Sequence, residues 1–158
     1  MKSISPVKTK LYTKYISLSI FLLFSVSCAS SAVQKEPSNS ITVRKLAIGI
    51  TTEDLHYQNL ALSNAINVAN AKPGEVQIEI VVWGPALPML LSDSKLKERI
   101  ENLLLLGEIK FTACGNTMDT LARKTGKMPV LLEGVEVHQI GVLRVMELQE
   151  KGYSFLHY

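Results

Sequence analysis

The chain has two cysteines in 158 residues, too few for the disulfide framework that small exported domains use to supplement a core. No group of His, Cys, Asp and Glu has metal-ligand spacing, which argues against a structural zinc site. Nothing resembles the GxGxxG phosphate loop, and Gly49 falls inside a strand pattern rather than after one. No cofactor is implied, and no internal repeat or low-complexity tract is present. The formal net charge is +3, but residues 1–32 hold Lys2, Lys8, Lys10 and Lys14 and no acidic residue. The remainder has thirteen basic and fourteen acidic residues, a net of −1. It therefore has no basic stripe for nucleic acid. Hydrophobic residues make up 47% and charged residues 20%, enough apolar material for one well-packed domain and too much for a disordered chain.

No apolar run reaches the roughly 20 residues of a bilayer-spanning helix. The longest, Tyr15–Val26, has about a dozen and is broken by three serines. Four lysines precede it and small residues follow it, the pattern of a secretory signal peptide over residues 1–32. Two forms of processing stay open. Ser30-Ser31-Ala32 suits ordinary signal peptidase, giving a periplasmic protein. Ser25-Val26-Ser27-Cys28 is similar to a bacterial lipobox, which would make Cys28 a lipidation site and the protein a membrane-anchored lipoprotein. Any membrane association is then expected only through the signal peptide or a lipid anchor. Residues 33–42, polar with Pro37, read as a linker to a domain over residues 43–158.

That domain alternates strand and helix patterns. Strands are expected over Val43–Ile50, Val76–Trp83, Ile109–Ala113, Val135–His138 and Tyr153–Leu156. Between them lie a helix in the second part of Thr51–Ala71, a short turn at Leu87–Leu91 and a helix with its buried stripe on Leu96, Ile100, Leu103 and Leu104. Ser92-Asp93-Ser94 offers this helix an N-cap. A further helix is capped by Asn116 and closed by Gly126, and a last one is marked by Val142, Val145, Met146 and Gln149 and ended by Gly152. Strands separated by helices imply right-handed crossovers and a parallel sheet covered on both faces. Ligands in such folds bind beyond the carboxyl ends of the strands. Candidate pocket residues are therefore Thr51, His56, Trp83, Gly84, Pro85 and His138.

Cys114 is the leading candidate for chemistry. It follows a strand and precedes a helix, so free backbone amides and the positive end of the helix dipole both favour thiolate, the nucleophilic form. Gly115 permits close approach to the backbone, and Asn116 and Thr117 complete the supporting turn. The competing reading is a small buried side chain at a strand end.

The stretch Phe111-Thr112-Ala113-Cys114-Gly115-Asn116-Thr117-Met118 resembles the signature of the DsrE/DsrF-like family, the DsrE/DsrF/TusD superfamily. Residues 59–65, reading NLALSNA, are similar to the first helix of its exported or single-domain subgroup. Further similar pieces follow in order: VQIEIVVWGP over residues 76–85, LLEGV over 131–135 and MELQEKGY over 146–153. Gln139-Ile140-Gly141 departs from the pattern, in which a proline often precedes the small residue and glycine. The resemblance implies a flavodoxin-like three-layer α/β fold with a five-stranded, mostly parallel sheet of order near 2-1-3-4-5. It implies a homo-oligomer, a trimer or hexamer. It also implies a persulfide-carrying role for Cys114, with a sulfur donor or acceptor protein as partner. Two functions are therefore carried forward: sulfur transfer through Cys114, and a non-catalytic oligomeric protein that binds a small ligand.

Overall fold

The computed structural model describes residues 43–158. The signal-peptide, lipidation and linker expectations for residues 1–42, Cys28 included, lie outside the described residues. Five strands form one all-parallel sheet: β1 (Arg44–Ile50), β2 (Val76–Val82), β3 (Ile109–Cys114), β4 (Glu136–His138) and β5 (Ser154–His157). The connections contain helix α1 (Leu55–Ala71), a 3-10 helix (Gly84–Leu90), α2 (Lys97–Leu104), α3 (Gly115–Thr125) and α4 (Gly141–Glu150). The three-layer α/β class expected from the sequence is the one observed.

The strand order is β4-β3-β2-β1-β5, not the expected 2-1-3-4-5. The expected order would put β2 at an edge. Yet β2 reads VQIEIVV and is buried at every position but Gln77, as suits an interior strand of a parallel sheet. The edges go instead to β4 and β5, which are three and four residues long and largely exposed. Short exposed strands are the ones that tolerate an edge.

This order also decides which helix lies where. From β1 to β4 each crossover steps in one direction, and right-handed crossovers then place α1, the 3-10 helix, α2 and α3 on one face. Only the return from β4 to β5, past the whole sheet, puts a helix on the other face, and that helix is α4. The large core follows the first face: Ile48, Ile50, Ile78, Ile80, Phe111 and Leu62 are fully buried with their neighbours. The second core is small, with Val145 and Leu148 of α4 on Ala47 and Val81, flanked by Trp83 and Tyr153.

Two local expectations are corrected, and one helix face is settled. Ser92-Asp93-Ser94 does not cap α2, which starts later, after Leu96; Ser94 Oγ instead accepts the Leu96 amide at 3.1 Å. Asn116 is the second residue of α3 rather than its cap, because β3 runs on to Cys114 and the helix begins at Gly115. On α4, Val142 and Met146 are exposed, and the inner face consists of Gly141, Val145 and Leu148. A single helix covers this face, and only one stripe of α4 meets the sheet.

Candidate functional site

Cys114 is both the last residue of β3 and the N-cap of α3, with extended backbone at φ −78° and ψ 116°. Its sulfur thereby sits at the mouth of the first turn of α3, close enough for the Asn116 and Thr117 amides to lower its pKa, although it makes no capping hydrogen bond to them. The Thr117 hydroxyl accepts the Gly84 amide at 3.0 Å, which leaves its own proton to donate to the sulfur. A second helix start closes on the same atom. Cys114 pairs in register with His138 of β4. The chain then turns through Gln139 and Ile140 so that the first amide of α4, that of Gly141, donates to Sγ at 3.3 Å. Two helix N-termini thus converge on one thiol, each carrying partial positive charge.

The turn is seated by Gln139. Its carbonyl accepts the Asn116 amide at 2.9 Å, and its side-chain amide donates to Asn116 Oδ1 at 2.8 Å and Asp119 Oδ2 at 3.0 Å. A Cβ on Gly115 would lie 2.7 Å from Gln139 Oε1 and 3.1 Å from Gln139 Cα. Close approach of these two turns therefore requires glycine at position 115.

Cys114 is 6% exposed. Burial pushes its pKa up, but the Thr117 hydroxyl and the amides of Gly141, Thr117 and Asn116 act together against it. The outcome is a thiol held below its ordinary pKa. The protonated form has a partner of its own, because the S–H can donate to the Gln139 carbonyl at 3.7 Å. Both protonation states are therefore hydrogen-bonded, as suits a sulfur that changes charge in place.

The remaining pocket candidates divide between the faces. Gly84 and Pro85 line a cavity of about 640 Å³ together with Asn116, Thr117, Lys124 and Glu53. This cavity opens at the carboxyl ends of the strands, on the large-core side, and its lining includes Thr117 but not Cys114. Trp83 lies on the α4 side: a Cβ on Gly141 would be 3.2 Å from Trp83 Cβ and equally far from Cys114 Cβ. Thr51 Oγ1 is 3.1 Å from His157 Nε2, and the His157 ring lies 5.7 Å from that of Trp83. His56 is exposed in the first turn of α1, edge-on to Tyr57. His138 Nε2 is 3.3 Å from Glu147 Oε1. The six residues do not form a single pocket.

Sequence reasoning missed the polar group under α4. Glu79, in the middle of β2, is 3% exposed. It receives Arg144 Nε at 2.7 Å and Arg144 Nη2 at 2.8 Å, together with the Thr112 hydroxyl at 2.7 Å. Contact with Glu79 raises the Arg144 pKa above its ordinary value against an opposing effect of burial, and Glu147 adds to the rise. The one available signal was a lone carboxylate within an otherwise apolar strand, since buried charges are almost always paired.

No family model and no curated protein matches the sequence. Solved structures do resemble the fold. A protein of unknown function from Methanobacterium thermoautotrophicum, MTH1491, superposes with a TM-score of 0.65 at 25% identity, covering 73% of this chain and 99% of its own. The ychN protein from E. coli gives 0.59 at 13% identity, over 73% of this chain and 98% of its own. A conserved protein of unknown function from Bacteroides thetaiotaomicron, BT1422, gives 0.54 at 21% identity, over 72% and 94%. These neighbours share the α/β arrangement described above and support a DsrE-like fold.

Proposed function

We propose that the chain is an exported member of the DsrE-like family and carries sulfur as a persulfide on Cys114. The observation behind this reading is the convergence of the α3 and α4 N-termini on Sγ, with the Gly141 amide at 3.3 Å. The chemistry needs a thiolate that attacks and an anionic sulfur that is tolerated afterwards. Cys114 thiolate attacks the terminal sulfur of a donor persulfide R–S–SH. The new S–S bond forms as the donor's S–S bond breaks, and the electron pair leaves on R–S⁻. The product is Cys114–S–SH, with no net change in redox state, and a second thiolate removes the sulfur by the same step in reverse. The amides of Asn116, Thr117 and Gly141 would hold the charge in each direction. Support for the family comes from the Phe111–Met118 resemblance and the shared fold, and support for export from the lysine-then-apolar pattern of residues 1–32. Assembly into a trimer or hexamer is part of the same reading, and the exposed Val142, Leu143 and Met146 of α4 give it a candidate contact surface.

The test is incubation of the protein with a low-molecular-weight persulfide, followed by intact-mass and peptide analysis. The expected result is a gain of about 32 Da on the Cys114 peptide, absent in Cys114→Ser and reversed by a reducing thiol. Absence of the adduct on Cys114 defeats the proposal.

One observation favours a second reading. The cavity of about 640 Å³ is lined without Cys114, as suits a protein that binds a small ligand and does no chemistry. Under that reading Cys114 resists iodoacetamide until the fold is opened by denaturant, whereas sulfur transfer requires labelling of the native protein.

A further inference from the structure

We infer that Arg144, locked by Glu79, is a positioning residue for Cys114: it sets the depth and angle of the first turn of α4, and so the aim of the Gly141 amide at the sulfur. The inference rests on the reading of Cys114 as the sulfur-carrying thiolate. It begins from a gap in the packing. The apolar anchors of α4 are Val145 and Leu148. Its first turn has none, since Gly141 lacks a side chain and Val142 and Leu143 are exposed. Yet this turn lies so close to Cys114 and Trp83 that a Cβ on Gly141 would come within 3.2 Å of both.

Arg144 supplies the missing constraint. Its backbone amide closes the first helical turn onto the Ile140 carbonyl at 3.0 Å. Its guanidinium makes two parallel hydrogen bonds to Glu79, at 2.7 and 2.8 Å, on the rigid central strand β2. A bidentate fork of this kind fixes orientation as well as distance. The third arm reaches Glu147 at 3.2 Å, and the other oxygen of Glu147 lies 3.3 Å from His138, the residue paired with Cys114 across β3 and β4. Side chains thus brace the turn at both ends, from the sheet below and from the strand before it. Stability alone does not account for such a pair, because apolar residues of similar volume hold a buried site about as well. What they lack is a fixed angle.

The experiment follows the midpoint of iodoacetamide labelling of the Cys114 peptide against pH, in wild type and three variants. Arg144→Lys keeps the charge and loses the fork. Arg144→Met loses both. Glu79→Leu with Arg144→Leu removes the pair without leaving a buried charge alone, and so preserves the fold if Arg144→Met does not. The midpoint is the proper readout, because a thiolate of higher pKa is intrinsically more nucleophilic and partly masks its lower population in a rate at one pH. The expected result is an upward shift in all three, by about half a pH unit or more, which is about a threefold loss of thiolate below the midpoint. An unchanged midpoint in Arg144→Lys, with a raised one in Arg144→Met, would assign the effect to charge alone and overturn the inference, as would an unchanged midpoint in the folded double variant. Failure of wild-type Cys114 to take up sulfur would defeat the persulfide reading instead, and the labelling comparison would still decide the role of Arg144.

Discussion

The backbone amide of Gly141 donates to Cys114 Sγ at 3.3 Å, although the two residues lie in different strand-helix units and 27 positions apart. The electrostatics of the thiol therefore depend on where α4 docks, as well as on the helix that follows the cysteine in sequence.

The first consequence is a pH dependence of stability. The pKa of Cys114 is lower in the folded state than that of a free thiol, so the unfolded chain holds its proton to higher pH. Stability from this group is fully present above the unfolded value of about 8.5. It is lost as the pH falls through the lower folded value. Urea melts of wild type and Cys114→Ser should differ increasingly, in favour of wild type, as the pH rises through that window. A difference independent of pH would mean that the thiol is not shifted.

Gly115→Ala should be destabilising by about 1–3 kcal/mol, the usual range for overpacking a tight contact. The added Cβ meets Gln139 Oε1, which can swing away, but also the Gln139 Cα at 3.1 Å, which cannot move without the backbone. Denaturant unfolding measures the cost. Because movement of Gln139 would disturb the turn into Gly141, the labelling midpoint of Cys114 should rise in the same variant.

The two sides of α4 should respond differently. Leu148→Ala removes a fully buried side chain from the smaller core and should cost about 2–5 kcal/mol. Met146→Glu, on the exposed side, should leave monomer stability within about 0.5 kcal/mol. In the assembly proposed above it should instead reduce the size seen by sedimentation velocity. An unchanged size would remove this face from the contact.

Trp83 is the chain's only tryptophan and packs against the same glycine that touches Cys114. Its emission should therefore report the state of the thiol. Alkylation or persulfidation of Cys114 should shift or quench the fluorescence of the native protein and leave that of the urea-unfolded protein unchanged. No native-state response would mean that the added group points away from Trp83.

The strand-helix alternation was legible because it is written in short-range periodicity: β-branched runs such as VQIEIVV, and apolar residues spaced three and four apart in NLALSNA. Cys114 stood out for the same local reason, as the link between a strand and the helix after it. The ordering of the sheet was not legible in this way. Whether β1 borders β3 or β5 depends on which strands can bear exposure at an edge, and the resemblance pointed to the wrong neighbour. Helical spacing marked α4 without saying which of its residues meet the sheet: Val145 does, whereas Val142 and Met146 are exposed.

Sequence pattern alone established the α/β class, the parallel crossovers and a thiol at the head of α3, since each follows from the chemistry of residues adjacent in the chain. Tertiary structure decided what surrounds that thiol. The Gly141 amide reaches Cys114, and Arg144 reaches Glu79, only because the chain, after β4, crosses the full width of the sheet to reach β5 and must lay α4 over the uncovered face. Contacts of that kind are set by chirality and burial acting over the whole domain, and no local window contains them.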